Sequence, residues 1–274
     1  MPSVLVLGAR GMVGVGLIPA LLAAGVTVHA RSRASAVSPA WRDLRRLHWN
    51  EPVSAVDAVL GLGPLHLTRN ALGALEGVPR VLSLSTLSTP ALARSRIAAH
   101  RQAAAAIEAE EQQLRDVHQA IILRVASVYG STADRTVAPL LRFARRRGFL
   151  PCPTGALGTR QPLHRDDLCG ALLAWVRGEV STVAGTYALG GAERLSVPDW
   201  FERCAQQAGV PTRGVPAALW RSLRWLADRA PRGAALAEKL HRFDWHIDTR
   251  EHVPWPIGAM SMRGFTPRLD EALP

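Results

Sequence analysis

The sequence predicts an α/β fold, a doubly wound parallel sheet with a small C-terminal lobe. Three observations carry that expectation. A short apolar strand, a glycine turn, a helix and a second strand follow one another within the first 30 residues. Apolar, β-rich runs then alternate with helical segments to about residue 125, the pattern of a parallel sheet covered on both faces. The 274 residues suffice for one large α/β domain with an attached lobe, but not for three independent domains.

Strands are expected near 3–7, 26–30, 56–61, 79–85 and 120–125, each rich in Val, Leu or Ile. Right-handed crossovers between them leave the doubly wound order. The first unit reads Val4-Leu-Val-Leu-Gly8-Ala-Arg10-Gly11-Met12-Val13-Gly14, then an apolar run to Gly25, then Val26-Thr-Val-His-Ala30. Gly8 lets the chain turn off the strand, Gly11 lets backbone N–H groups approach a pyrophosphate, and Gly14 lets the helix pack close to the sheet. This is the first βαβ unit of a Rossmann-type dinucleotide-binding fold. It assigns Gly8, Arg10, Gly11, Met12, Val13 and Gly14 to a nucleotide cofactor. The alanine- and glutamate-rich segment 91–117 reads as a helix on propensity. Another helix starts at Asp166 or Asp167, with the aspartate as N-cap, and runs to about Gly178. Ser196-Val-Pro198-Asp199 is a further helix start, with a capping serine, an early proline and a first-turn carboxylate. Residues 1–274 read as a single Rossmann-type domain, with the lobe assembled from about 130–165 and 185–274.

Hydrophobic content of 48% describes a globular protein. No basic n-region precedes an apolar stretch, and no uncharged run reaches the roughly 20 residues of a membrane helix. A cytoplasmic protein with no membrane partner is expected. Cys152, Cys169 and Cys204 are distant from one another and not in C-x-x-C spacing, so reduced thiols and no metal are expected. The net charge of +11 is nearly all arginine, since Lys239 is the one lysine. The densest basic run, Arg142-Phe-Ala-Arg145-Arg146-Arg147, has the place of a solvated helix end and lacks stacking aromatics. No nucleic-acid module accompanies it, so a small acidic or phosphorylated ligand is the expected partner. The oligomeric state stays open, a homodimer included.

The glycine spacing, G-x-x-G-x-x-G, resembles the short-chain dehydrogenase/reductase superfamily, in its extended, atypical branch of NAD(P)-dependent epimerase/dehydratase-like proteins. Further segments, in the family's order, carry the resemblance. Asp57-Ala-Val-Leu-Gly-Leu62-Gly63-Pro64 is similar to the fourth strand and its loop, and Val81-Leu-Ser83-Leu-Ser85-Thr86 to the strand ending in a Ser/Thr pair. Leu123-Arg124-Val125-Ala-Ser-Val128-Tyr129-Gly130 resembles the L-R-P-x-x-V-Y-G segment. Gln161-Pro162-Leu-His164-Arg-Asp166-Asp167-Leu168 resembles the P-V-H-V-D-D-L motif, and Gly185-Thr-Tyr187-Ala-Leu-Gly190-Gly191 the strand after it. The resemblance implies that Leu62, Gly63, Pro64, Val125 and Val128 line the cofactor. It implies that Ser85 and Thr86 orient a substrate oxygen, and that Tyr129 and His164 lie at the substrate. Strand-end hydroxyls satisfying backbone are the alternative for Ser85 and Thr86. Asp166 and Asp167 read as helix caps rather than a catalytic dyad, and Arg124 as a structural ion-pair member.

In NAD-binding relatives an acid closes the second strand and bonds the adenosine ribose. Here the strand ends His29-Ala30-Arg31-Ser32-Arg33, and the first carboxylate after it is Asp43. A guanidinium fork pairs with a 2′-phosphate that a carboxylate would repel. Arg31 and Arg33, with Arg10 from the opposite side, therefore point to NADP(H) over NAD(H). Ordinary surface arginines are the alternative.

Active members of the family use a Tyr-x-x-x-Lys pair, and counting excludes it here. Four residues after Tyr129 and Tyr187, the chain's two tyrosines, lie Ala133 and Gly191. Matching the family's glutamate to Glu108 puts His100 and Ala104 at the tyrosine and lysine positions; matching it to Glu110 puts Gln102 and Ala106 there. His100 could exchange a proton near neutral pH, or it is a solvated histidine beside Arg96 and Arg101. Trp220, Trp225, Trp245 and Trp255 crowd the C-terminal lobe with Phe243 and Phe265, and a few at a cleft would suit a planar or apolar substrate. The resulting expectation is an atypical NADP(H)-dependent oxidoreductase acting on a small carbonyl or alcohol, with Ser85, Thr86 and His100 as catalytic candidates. A non-catalytic NADP(H)-binding redox sensor or structural protein is the alternative, and an isomerase or epimerase ranks lower.

Overall fold

Val4 and Val6 of the first strand are buried among one set of apolar side chains, Leu5 and Leu7 among another. A strand that buries both of its faces belongs at the centre of a sheet covered by helices on two sides. In this computed structural model the described residues are 2–33, 41, 46–77, 79–229, 234–257 and 260–272. The elements begin β1 (Ser3–Leu7), α1 (Met12–Ala23), β2 (Thr27–Arg31), β3 (Leu47–Trp49), β4 (Ala58–Gly61) and α2 (Leu65–Leu72). Next come β5 (Arg80–Thr86), α3 (Thr89–Ala93), α4 (Ala98–His118), β6 (Ile121–Val125), β7 (Val128–Tyr129) and α5 (Val137–Arg147). Then follow β8 (Leu150–Pro153), β9 (Thr159–Arg160), β10 (Leu163–His164), α6 (Arg165–Val176), β11 (Gly185–Leu189) and β12 (Leu195–Ser196). The chain ends with α7 (Val197–Gln207), β13 (Thr212–Val215), α8 (Ala217–Arg229), α9 (Ala234–Arg242), β14 (His246–Ile247) and α10 (Leu269–Ala272).

Seven parallel strands form the main sheet in the order β11-β6-β5-β4-β1-β2-β3. Val4 pairs with Val28 on one side and Ala58 on the other, so the order reverses between β1 and β4. In open α/β sheets that switch point, at the carboxyl ends of the strands, is where a ligand settles. α1 and α6 cover one face, joined where the Cys169 thiol meets the Val13 carbonyl at 3.6 Å. On the other face, side chains of α2 and α4 pack with Leu5, Val59 and Ile122. A separate core holds the lobe together, built from Tyr129, Leu141, Trp200, Phe201, Trp220 and Phe265.

Several expectations shift against this frame. β3 was not anticipated; its three residues extend the sheet beyond β2. The 91–117 helix is two helices, because the Ser95 hydroxyl accepts the Ile97 N–H at 3.2 Å and breaks the run, a local bond that competes with helix. α6 starts at Arg165, and its N-cap is His164 rather than an aspartate: the ring Nδ1 accepts the Asp166 N–H at 3.2 Å. β11 joins β6 in the main sheet, so residues 185–189 belong to the sheet, while the lobe core draws on Trp200, Phe201, Trp220 and Phe265 after it. Trp255 is likewise in the main core, and Trp225 is 57% exposed. The Ser196 cap forms as read, accepting the Asp199 N–H at 3.2 Å. No helix among the described residues is long and apolar enough to cross a membrane.

Candidate functional site

The glycine turn sits at the switch point. Gly8 has a φ of +82°, and its N–H and that of Ala9 both reach the Arg31 carbonyl, at 3.2 and 3.3 Å. The Gly11 N–H closes the turn on the Gly8 carbonyl at 2.8 Å. A Cβ on Gly14 would fall far inside contact of the Ala9 carbonyl, which is how α1 comes so close to the turn. Gly11, the N-cap of α1, brings no side-chain hydrogen bond to the helix's first turn. Such a turn leaves backbone N–H groups and the positive helix end for an anion. Gly8 also packs on the loop after β4, with Leu62 and Gly63 backbone atoms 3.2–3.3 Å from where its Cβ would lie.

A cleft of about 480 Å³ opens over this turn. Arg10, Gly11 and Met12 form one wall; Val128, Ala133, Arg135 and Thr136 form the other. The structure therefore brings Val128 to the glycine turn. Arg31 ends β2 beside the turn, half-buried, and Arg33 is exposed. Neither they nor Arg10 makes an ion pair among the described residues; Asp43 lies outside them. The next strand end offers a neutral amide, Asn50, whose Oδ1 accepts the Ser32 N–H at 2.9 Å. The donor set fits a dinucleotide: the amides at the start of α1, with no partner within the helix, suit a pyrophosphate, and the end of β2 carries arginines.

The reaction half of the sheet is built differently. Ser85 donates to Glu111 Oε1 at 2.5 Å, and Glu111 pairs with Arg124 at 2.6 Å. Glu111 is 1% exposed, so the Ser85 hydroxyl is committed to a buried carboxylate. Thr86 Oγ1 accepts the Ser88 N–H at 3.1 Å, a strand-end role. Arg124 is the ion-pair member the sequence suggested. Glu108 is exposed and Glu110 pairs with Arg69 at 3.1 Å, so neither register read from them holds. The glutamate this helix buries is Glu111, and the same spacing then lands on Ala103 and Ile107. Neither side chain can carry a proton.

His100 is buried, not solvated: it is 5% exposed, stacked edge-on against Trp245 at 5.3 Å. Its Nδ1 meets Ser95 Oγ at 2.8 Å, and Nε2 lies 3.2 Å from Glu238 Oε1 outside hydrogen-bond geometry. Glu111 lies on the same helix, about 16 Å further along its axis at 1.5 Å per residue. The structure thus does not bring His100 to Ser85. Tyr129 and His164, expected at a substrate, pack against each other at 5.1 Å in the lobe. Tyr129 is wedged against Phe265 and donates to the Gly264 carbonyl at 3.3 Å; burial pushes its phenol up to about 12. Asp167 is no cap either, since its carboxylate takes the Arg263 backbone N–H at 2.8 Å and pairs with the Arg263 guanidinium at 3.0 Å.

A second cleft, of about 390 Å³, lies between α3 and the segment 244–252. Leu87, Pro90, Ala91 and Trp245 make its apolar wall, and Arg250 and His252 are among its charged and titratable groups. Burial, then Arg124, lowers the His252 pKa. Sequence reading missed Glu111, Arg135 and His252. Glu111 was hidden among three glutamates within four residues, and the other two stand outside any recognised motif.

No family model matches the chain. Over 126 residues, 46% of its length, it is 32% identical to NADH dehydrogenase [ubiquinone] 1 alpha subcomplex subunit 9, mitochondrial, of Arabidopsis thaliana. That match covers 30% of the relative, so the chain matches less than a third of that protein's length. Among solved structures it is similar to a nucleoside-diphosphate-sugar epimerase from Staphylococcus aureus. The TM-score there is 0.64 at 14% identity, covering 88% of this chain and 90% of that one. UDP-glucuronic acid 4-epimerase from Bacillus cereus, in complex with UDP-glucuronic acid and NAD, gives 0.59 at 18% identity, covering 78% and 86%. For dTDP-glucose 4,6-dehydratase from Bacillus anthracis in complex with NAD the figures are 0.56, 14%, 78% and 84%. At these identities the likeness is one of fold. The chain has the Rossmann-type fold of these epimerase and dehydratase structures, which bears out the α/β fold expected from its sequence.

Proposed function

We propose that this chain binds NADP(H) across the switch point and holds it as a structural or redox-sensing ligand. The glycine turn would take the pyrophosphate, and Arg31, Arg33 and Arg10 would take the 2′-phosphate. The observation that carries the non-catalytic part is the fate of the reacting groups. Ser85 is spent on Glu111, and the buried-glutamate register puts Ala103 and Ile107 where a proton carrier would stand. The partial match to a protein named as a subcomplex subunit of an NADH dehydrogenase supports the structural reading.

A second reading, an atypical oxidoreductase for a small carbonyl or alcohol, is favoured by the open cleft beside α3, where Trp245 and His252 could meet a substrate. An isomerase or epimerase ranks below both, since it too would need a proton carrier. The basic end of α5 is exposed, and the partner proposed for the chain is a small molecule rather than nucleic acid. One experiment tests the reading. NADPH should raise the Tm more than NADH, by mass action on the folded state, while NADPH incubated with a panel of aldehydes and ketones keeps its absorbance. Turnover would move the conclusion to the oxidoreductase, and equal shifts from both nucleotides would remove the 2′-phosphate argument.

A further inference from the structure

The wall facing the glycine turn supplies a charge that no motif assigned. Arg135 lies in the β7–α5 connection, exposed, and lines the 480 Å³ cleft opposite Arg10, Gly11 and Met12. It has no ion pair or hydrogen bond among the described residues, in a chain where many arginines are paired. The nearest acid in sequence, Asp134, is unavailable to it. Asp134 is 3% exposed, and its carboxylate accepts the N–H groups of Thr136, Val137 and Ala138 at 2.6–3.2 Å. Those bonds fix the start of α5 and leave Arg135 on the outer side of a rigid cap. Thr136, beside it, turns its residue to the same cleft, and its hydroxyl caps nothing in α5.

An uncommitted guanidinium on the wall opposite the first turn of α1, whose amides have no partner within the helix, is complementary to a diphosphate. We infer that Arg135 closes over the pyrophosphate of the bound dinucleotide from the lobe side, opposing the glycine turn. The lobe then senses the nucleotide directly, through the same α5 that buries Val137, Ala138 and Leu141 in the lobe core. This inference rests on the nucleotide-binding reading and adds a binding residue to it. Arg31 would read the 2′-phosphate, Arg135 the pyrophosphate, and the two contributions should separate by ligand.

The test is calorimetric titration of the whole chain and its R135Q and R31E variants with four ligands: NADPH, NADH, ADP-ribose and adenosine 2′-phosphate. The last lacks a pyrophosphate. R135Q should weaken NADPH, NADH and ADP-ribose by a common factor of about 10- to 100-fold, the range of one lost charge-assisted hydrogen bond, and leave adenosine 2′-phosphate unchanged. R31E should weaken NADPH and adenosine 2′-phosphate and spare ADP-ribose. Arg135 is exposed, so the free R135Q protein should melt with the unmodified one, and R135K should recover part of the lost affinity. Unchanged NADPH binding by R135Q, or a loss that extends equally to adenosine 2′-phosphate, overturns the assignment of Arg135. If the unmodified chain binds none of the four, the nucleotide reading itself falls, and Arg135 with it.

Discussion

The two ends of the same sheet edge are furnished in opposite ways. At the β1/β4 switch point the chain keeps polar groups unspent: the amides of the first turn of α1, and arginines that pair with no carboxylate among the described residues around a cleft. At the ends of β5 and β6 the polar groups are spent on one another or on backbone: Ser85 on Glu111, Glu111 on Arg124, Thr86 on backbone. A binding site must leave donors for its ligand, whereas a buried ion pair satisfied on all sides serves the protein itself. The contrast separates holding a nucleotide from reacting with it, and it can be broken from either side.

The largest effect is expected in the spent half. Glu111→Ala leaves the Arg124 guanidinium, 13% exposed, without its partner. Breaking one side of a buried pair costs about 3–5 kcal/mol, read as a fall in denaturant midpoint. NADPH affinity of the folded fraction should be unchanged. A mild loss of stability with a large loss of affinity would mean that this half serves the nucleotide after all.

The unspent half should answer to two glycines in different ways. Gly14→Val drives a side chain into the Ala9 carbonyl and forces α1 off the turn, an overpacking cost of about 3 kcal/mol. Gly11 is exposed, and a Cβ there would touch only the Gly8 carbonyl, at 3.0 Å. Gly11→Val should therefore keep the fold and lose the nucleotide. Normal NADPH binding by Gly11→Val would place the phosphate site elsewhere. Smaller again is Arg31→Glu, which should cut or reverse the preference for NADPH over NADH by about tenfold, one charge-assisted contact of roughly 1.5 kcal/mol. An unaltered ratio of affinities would make Arg31 an ordinary surface arginine.

What the sequence disclosed follows the same division. The glycine turn was legible because local backbone constraints, a strand end, a tight turn and a helix start, must sit in adjacent residues. Ser196 and Asp199 were legible for the same reason. The Ser85–Glu111–Arg124 cluster was not, because its members come from β5, α4 and β6 and only burial distinguishes Glu111 from Glu108 and Glu110. His164 has a structural role that its motif did not announce. Its motif pointed to a ligand, yet the imidazole replaces an aspartate as the α6 cap and packs on Tyr129. The break between α3 and α4 turned on one serine hydroxyl, too little signal against a long run of strong helix formers.

The smallest effect concerns the segment that walls the second cleft. β14 pairs with β9, and Asp248 ties the following turn back to that strand by accepting from Thr159 Oγ1 at 2.6 Å and Arg250 Nη2 at 2.9 Å. Burial opposes ionisation of this carboxyl, but the Arg250 and Thr159 hydrogen bonds outweigh it and bring its pKa down to about 2. A carboxyl depressed by folding contributes stability above its unfolded pKa, near 4, and loses it as pH falls through the folded value. A shift of that size would amount to roughly 2.5 kcal/mol at most. Arg250 is half exposed, and screening reduces the figure to about 1 kcal/mol. Asp248→Asn should then lower stability by that amount at pH 7, with the gap to the unmodified protein closing between about pH 4 and pH 2. Denaturant midpoints of both proteins across that window measure it. A gap independent of pH would mean that the side chain holds the turn by shape and neutral hydrogen bonds, and that its charge contributes nothing to the wall of the cleft.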